Sequence, residues 1–162
     1  MVRVLFVCHG NICRSPMAEF LLKRLAAERG CEDELLIASA ATSTEEIGNP
    51  VHRGTVTKLA EHGISCAGKH AVQLTRRDYP TYDYLLGMDR HNLQNMARIL
   101  GTDDPQKIRR LLDFSAHPRD IADPWYTGNF DVTYEDILEG CNAFLDFLET
   151  SGLIHPKRNR NQ

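Results

Sequence analysis

A surplus of basic residues is the first thing missing: 19 Lys and Arg stand against 22 Asp and Glu, a formal charge of −3. A non-specific nucleic-acid binder needs such a surplus to offset phosphates, so that class finds no support, although a small local anion site remains open. No apolar run approaches the length of a membrane span. The stretch from Val2 to Val7 is apolar apart from Arg3, but it is short and has no signal-peptide layout around it. A cytoplasmic protein without a membrane partner is therefore expected. Neither Cys-x2-Cys nor His-x3-His spacing occurs, so no metal site is expected. Nor is there a Gly-x4-Gly-Lys-Ser/Thr run, which excludes a nucleotide P-loop. The five cysteines (Cys8, Cys13, Cys31, Cys66, Cys141) are odd in number and scattered, unlike a secreted disulfide framework.

What is present fits one ordinary globular domain. The chain has 162 residues, 42% hydrophobic and 25% charged, enough to bury a sizeable core. No repeat or low-complexity block interrupts it, which predicts a single domain over residues 1–155 and a polar tail over 156–162. Strand and helix patterns alternate. Val2 to Val7 reads as a buried strand, and Ser15-Pro16 as an N-cap followed by the first helical residue. Met17, Phe20, Leu21 and Leu25 form an apolar face that ends at Gly30. Leu35 to Ala40 predicts a second strand, about Val51 to Glu61 a helix, and Tyr82 to Met88 a third strand. Asp89 caps a helix reaching about Leu100, and Lys107 to Phe114 predicts a fourth strand. Thr133 to Thr150 is the clearest helix, with Thr133 and Asp136 resembling a capping box and Cys141 on its core face. Such alternation implies βαβ units and a parallel sheet, with ligands beyond the carboxyl ends of the strands. The segment Ser115 to Val132 is too long for a mere connection and is a functional candidate.

Directly after the first strand comes Cys8-His9-Gly10-Asn11-Ile12-Cys13-Arg14-Ser15-Pro16. A strand–loop–helix junction exposes unpaired backbone N–H groups at the positive end of the helix dipole. Gly10 and Asn11 can take the positive φ angles that an anion nest requires. Arg14 adds a planar fork that matches two oxygens of a phosphate-like group. A helix N-terminus and a nearby Arg favour the thiolate of a cysteine, making Cys8 a candidate nucleophile at the floor of an oxyanion cradle. Ser15 can donate towards that sulfur or simply cap the helix.

This segment resembles the low-molecular-weight protein tyrosine phosphatase family, whose loop reads Cys-x-Gly-Asn-x-Cys-Arg-Ser-Pro. The resemblance continues through Ser39-Ala40, His62-Gly63-Ile64, Gln73-Leu74-Thr75, Tyr82-Asp83 and Met88-Asp89-Arg90. It closes on Asp123-Pro124-Trp125-Tyr126, similar to the family's Asp-Pro-aromatic-Tyr loop. It implies an α/β three-layer sandwich of the flavodoxin-like kind, with a central four-stranded parallel sheet and helices on both faces. It implies hydrolysis of phosphotyrosine and aryl phosphate esters through a cysteinyl-phosphate, with no cofactor and inorganic phosphate as product. The partner would be a phosphotyrosine-containing protein or peptide, and the chain a monomer or weak dimer.

The resemblance also assigns roles. Residues 9 to 14 (His9, Gly10, Asn11, Ile12, Cys13, Arg14) would bind phosphate, supported by Ser15 and by an Asn11–Ser39 pair. Asp123 would protonate the leaving phenol and then activate water; without the loop motif a plain Asp-Pro turn is the preferred reading. Asp89 could be a second carboxylate near the site, with helix capping the simpler role. His9, Glu45, Trp125 and Tyr126 would line the cleft. Cys13 would form a disulfide with an oxidised Cys8, or merely fill the loop. The chain departs from the family in two places. Glu45-Glu46 precede Ile47-Gly48 where eukaryotic members often carry an aromatic residue before Val-Gly. Lys69-His70-Ala71-Val72-Gln73-Leu74 stands for the usual His-x-Ala-Arg-Gln-Leu, so the contacts of that His and Arg are expected to be missing. A thioredoxin-coupled arsenate reductase would need a further close cysteine pair. A phosphoprotein-binding module would need neither nucleophile nor acid.

Overall fold

The computed structural model describes residues 1–157, so residues 158–162 of the expected tail lie outside it. Strands β1 (Val2–Cys8), β2 (Leu35–Ala41), β3 (Tyr84–Gly87) and β4 (Ile108–Arg110) alternate with helices. The helices are α1 (Arg14–Arg29), α2 (Arg53–Ala60), α3 (Asp78–Thr81), α4 (Arg90–Leu100), α5 (Pro124–Thr127) and α6 (Phe130–Thr150). The four strands form one parallel sheet in the order β2-β1-β3-β4, a flavodoxin-like arrangement. Pleating divides β1 between two cores. Val4 and Phe6 join the cluster that α1 and α6 cover, whereas Leu5 and Val7 join Met96 and Leu100 of α4 on the opposite face. Buried on both sides, the strand needs the near-continuous apolar run seen in its sequence. The order reverses between β1 and β3, and ligands in such sheets bind outside the carboxyl ends at that switch point.

Three elements differ from their sequence signals. The expected strand from Lys107 to Phe114 pairs only over Ile108–Arg110 and then tightens into a 3-10 turn over Leu111–Phe114. Asp113 causes this by turning back to accept the Arg110 N–H at 2.8 Å, while Leu111 and Leu112 bury completely beside α6. Helix α6 starts at Phe130, three residues before the expected Thr133 cap. Asn129 caps it by accepting the Val132 N–H, and the Thr133 hydroxyl instead donates to the Ala122 carbonyl at 3.2 Å, tying down the long loop. Ser15 is not the cap of α1 either. Cys13 takes that position, leaving Pro16 among the first helical residues, whose N–H groups have no helical acceptor.

Gly140 of α6 is where that helix meets the 3-10 turn: a Cβ there would lie 2.5 Å from Leu111 Cγ. Overpacking in Gly140→Ala is expected to cost about 2–3 kcal/mol, which the ~1 kcal/mol gain in helix propensity reduces to a net loss of about 1–2 kcal/mol. Thermal unfolding checks this, and an unchanged or raised Tm would contradict the close approach.

Candidate active site

The loop after β1 is held by its carbonyls. Those of Cys8 and His9 accept the N–H groups of Thr42 and Ser43, both at 2.9 Å, and that of Ile12 accepts the His52 N–H at 2.8 Å. The Cys13 carbonyl accepts the Met17 N–H and the Thr55 hydroxyl. Because a trans peptide points its N–H opposite its C=O, the amides of His9, Gly10, Cys13 and Arg14 face away from these partners. The one residue outside glycine with positive φ among the described residues is Asn11, at 58°. Gly10 does not share that conformation, contrary to the sequence expectation.

Asn11 is completely buried and its side chain fixes the loop from within. Its Oδ1 accepts the Val72 N–H at 3.1 Å, which leaves Nδ2 to donate to Ser39 Oγ at 3.0 Å and Ser15 Oγ at 2.7 Å. Both amide protons are then used, and the Ser15 oxygen is an acceptor. Its own proton is free to point at Cys8 Sγ, 3.0 Å away. The Ser15 backbone N–H adds a longer contact to the same sulfur at 3.4 Å. With Cys8 as the thiolate, which can only accept, both the hydroxyl and the backbone N–H of Ser15 donate to the sulfur.

Arg14 is 2% exposed, and a buried guanidinium needs partners on all sides. Nη1 donates to Asp89 Oδ2 at 2.6 Å and to the Ile121 carbonyl at 2.8 Å; Nη2 reaches Asp123 Oδ2 at a longer 3.4 Å. Burial opposes its charge, yet the facing Cys8 sulfur, Asp89 and Asp123 hold the guanidinium above its ordinary value. Asp89 performs both of the roles foreseen for it. Its Oδ1 accepts the Asn92 N–H at the start of α4, while Oδ2 holds Arg14. Asp123 divides its oxygens in the same way: Oδ1 caps the short α5 through the Trp125 N–H at 3.0 Å, and Oδ2 faces Arg14.

Above these groups opens a cleft of about 110 Å³ lined by residues of the Cys8–Arg14 loop with Glu45, Glu46, Asp123, Trp125 and Tyr126. Trp125 and Tyr126 are exposed on one wall, and the His52 ring supports the first of them edge-on at 5.6 Å. On the other wall His9 Nε2 lies 3.1 Å from Glu45 Oε2. A larger hollow of about 470 Å³, lined by Val51, Val56, Ile64 and Cys66, lies beside α2 and has no such set of groups. Every site residue expected from sequence lines the cleft except Asn11, Ser15 and Ser39, which are buried beneath it. All five thiols are free and buried. Burial, then the Cys8 and Asp123 charges, push the Cys13 thiol up to about 12, and burial alone pushes Cys141 up. Among the described residues, no group of three His, Cys, Asp or Glu is placed to hold a metal ion, and no helix is long and apolar enough to cross a membrane.

The family model described as low molecular weight phosphotyrosine protein phosphatase matches residues 3–152. The chain belongs to that family. Similar curated relatives include the low molecular weight protein-tyrosine-phosphatase YfkJ of Bacillus subtilis, 42% identical over 90% of this chain and 94% of its own. The low molecular weight phosphotyrosine protein phosphatase of Rattus norvegicus is 40% identical over 88% and 93%. The crystal structure of YfkJ superposes with a TM-score of 0.87 at 41% identity, covering 93% of this chain and 96% of that one. That of SP-PTP from Streptococcus pyogenes gives 0.82 at 38%, covering 96% and 100%.

Several supports of this phosphatase site escape sequence reasoning. Glu19 lies under Ser39, and His52 under the loop, with no motif to announce them, and Lys69, marked in the sequence only as a departure from the family's His, joins Glu19 there. The Ile121 carbonyl on Arg14 is backbone and leaves no residue signature. Asp89 can be dissected by substitution. Asp89→Asn keeps a cap and loses the charge on the buried Arg14, so Tm should fall and inhibition by inorganic phosphate should change. Asp89→Ala loses both and should cost about 1 kcal/mol of stability in addition. Equal phosphate inhibition in wild type and both variants would contradict the tether.

Proposed function

We propose that the protein hydrolyses phosphotyrosine esters by covalent catalysis, with Cys8 as nucleophile, Arg14 and the loop amides as phosphate ligands and Asp123 as general acid and base. The observation that carries this is one sulfur that receives two donors beneath a cleft lined by Arg14 and a carboxylate. The Cys8 thiolate attacks phosphorus and the ester P–O bond breaks. Asp123 gives its proton to the leaving phenolate. Water then attacks phosphorus, Asp123 takes its proton, and the S–P bond breaks to release inorganic phosphate and the thiolate. The long Arg14–Asp123 contact suits this cycle, because the phosphate oxygens can replace it and free the Asp123 oxygen for the leaving group.

Trp125 and Tyr126 would pack on the phenyl ring, with His9 and Glu45 opposite. Residues 1–155 would form the single phosphatase domain, acting in the cytoplasm as a monomer or weak dimer on a phosphotyrosine protein or peptide. Without added metal, Cys8→Ser should abolish turnover of an aryl phosphate. Asp123→Asn should lower kcat by about 10²–10⁴-fold, least for leaving groups that need no proton. Activity surviving in Cys8→Ser would sink the mechanism.

Cys13 is proposed as the redox partner of Cys8. Peroxide would oxidise Cys8 to the sulfenic acid, and Cys13 would displace water to form the disulfide, short of irreversible oxidation. The Cys13 thiol, pushed up to about 12, stays protonated at neutral pH and does not compete as a nucleophile. Neutralising the Cys8 charge by oxidation removes one of the causes of that elevation. Mild peroxide should therefore inactivate the wild type reversibly and Cys13→Ser irreversibly. Equal recovery with reductant would remove the protective role.

A further inference from the structure

Beneath the loop lies a buried ion pair that the catalytic cycle above does not use. Glu19 of α1 is 5% exposed, and its Oε1 accepts the Ser39 hydroxyl at 2.6 Å. Lys69 Nζ lies 3.7 Å from the same oxygen and donates to the Ser39 carbonyl at 2.9 Å. One serine is thus held from two sides by opposite charges. Lys23 completes the set, donating to Glu19 Oε2 at 2.7 Å from a half-exposed position. Glu19 also acts on the Tyr82 phenol and the Cys66 thiol, and the Cys8 charge acts on Lys69. Burial pushes Lys69 below its ordinary value, with Glu19 pulling it back.

Hydrogen-bond direction gives this arrangement a consequence. A carboxylate only accepts, so Ser39 must give its proton to Glu19 and present a lone pair to Asn11 Nδ2. Asn11 in turn holds Ser15, whose proton points at Cys8. We propose that Glu19 and Lys69 are positioning residues, acting through Ser39 and Asn11 to hold the loop in the conformation that keeps the Cys8 thiolate hydrogen-bonded. Lys69 occupies the place where the family's usual residue is His. At that place the lysine reaches the Ser39 carbonyl with its own ammonium, and the Val72 backbone N–H binds Asn11. Without Lys69, Glu19 keeps, among the described residues, only the half-exposed Lys23 as counter-charge, and the Ser39 carbonyl loses its donor.

The proposal rests on Cys8 being the nucleophile, so its test reads the thiol itself as well as turnover. Alkylation of Cys8 by iodoacetamide is followed against pH in wild type, Lys69→Met, Lys69→Arg, Ser39→Ala and the Ser39→Ala/Lys69→Met double variant, with Tm recorded for each. Lys69→Met should shift Cys8 alkylation to higher pH and lower kcat about 3- to 30-fold with little change in KM. Lys69→Arg should restore most of both. In the Ser39→Ala background the Lys69→Met change should add little, since residues acting through one another are not additive. An alkylation profile in folded Lys69→Met that coincides with wild type would overturn the proposal, as would full additivity in the double variant. Wild type that alkylates at Cys8 but hydrolyses no aryl phosphate would instead count against the phosphatase mechanism alone.

Discussion

One buried guanidinium organises the catalytic end of this molecule. Arg14 sits in the first turn of α1, where water is excluded, so its charge must be met by protein groups. Those partners come from separate parts of the chain: Asp89 at the end of β3, and Ile121 and Asp123 in the loop after β4. Satisfying one cation therefore draws the carboxyl ends of three strands together. The Ile121 N–H closes the arrangement by donating to the Met88 carbonyl at 2.9 Å. A phosphate entering the cleft meets a positive charge already desolvated and aimed, with only the weaker Asp123 contact to exchange.

The second constraint is conformational. Asn11 holds a left-handed backbone that costs free energy in any residue other than glycine, and three side-chain hydrogen bonds offset that cost. Asparagine suits the position because it tolerates that φ and supplies one acceptor and two donors in a fixed geometry. The same bonds that stabilise the turn set the direction of the proton on Ser15. The bonds that support the loop and the contacts to the Cys8 sulfur therefore belong to one connected network.

The sheet and the reactive loop were legible because they rest on local signals. A both-faces-buried strand reads as an apolar run, and Cys8, Arg14 and Ser15-Pro16 lie within nine residues of one another. Asp123 was legible only through its Pro-Trp-Tyr context, since an Asp-Pro turn by itself carries no chemistry. What could not be read is long-range. Glu19 looks like any polar helix residue until Ser39 and Lys69 arrive from distant segments, and Gly140 marks a close approach only once Leu111 is opposite. Boundaries failed where a side chain outcompeted periodicity. Asp113 ended β4 early, Asn129 started α6 early, and the Ser15 hydroxyl was drawn to Asn11 and Cys8 rather than to a cap.

The central claim, that the cradle exists to carry phosphorus on one sulfur, is tested most directly by trapping the intermediate. Rapid acid quench of the protein during turnover of a phosphotyrosine peptide, followed by mass spectrometry, should find one phosphoryl group on the segment containing Cys8, and none in Cys8→Ser. Turnover with no phosphocysteine at any quench time, or with the phosphoryl group on another residue, would contradict the account.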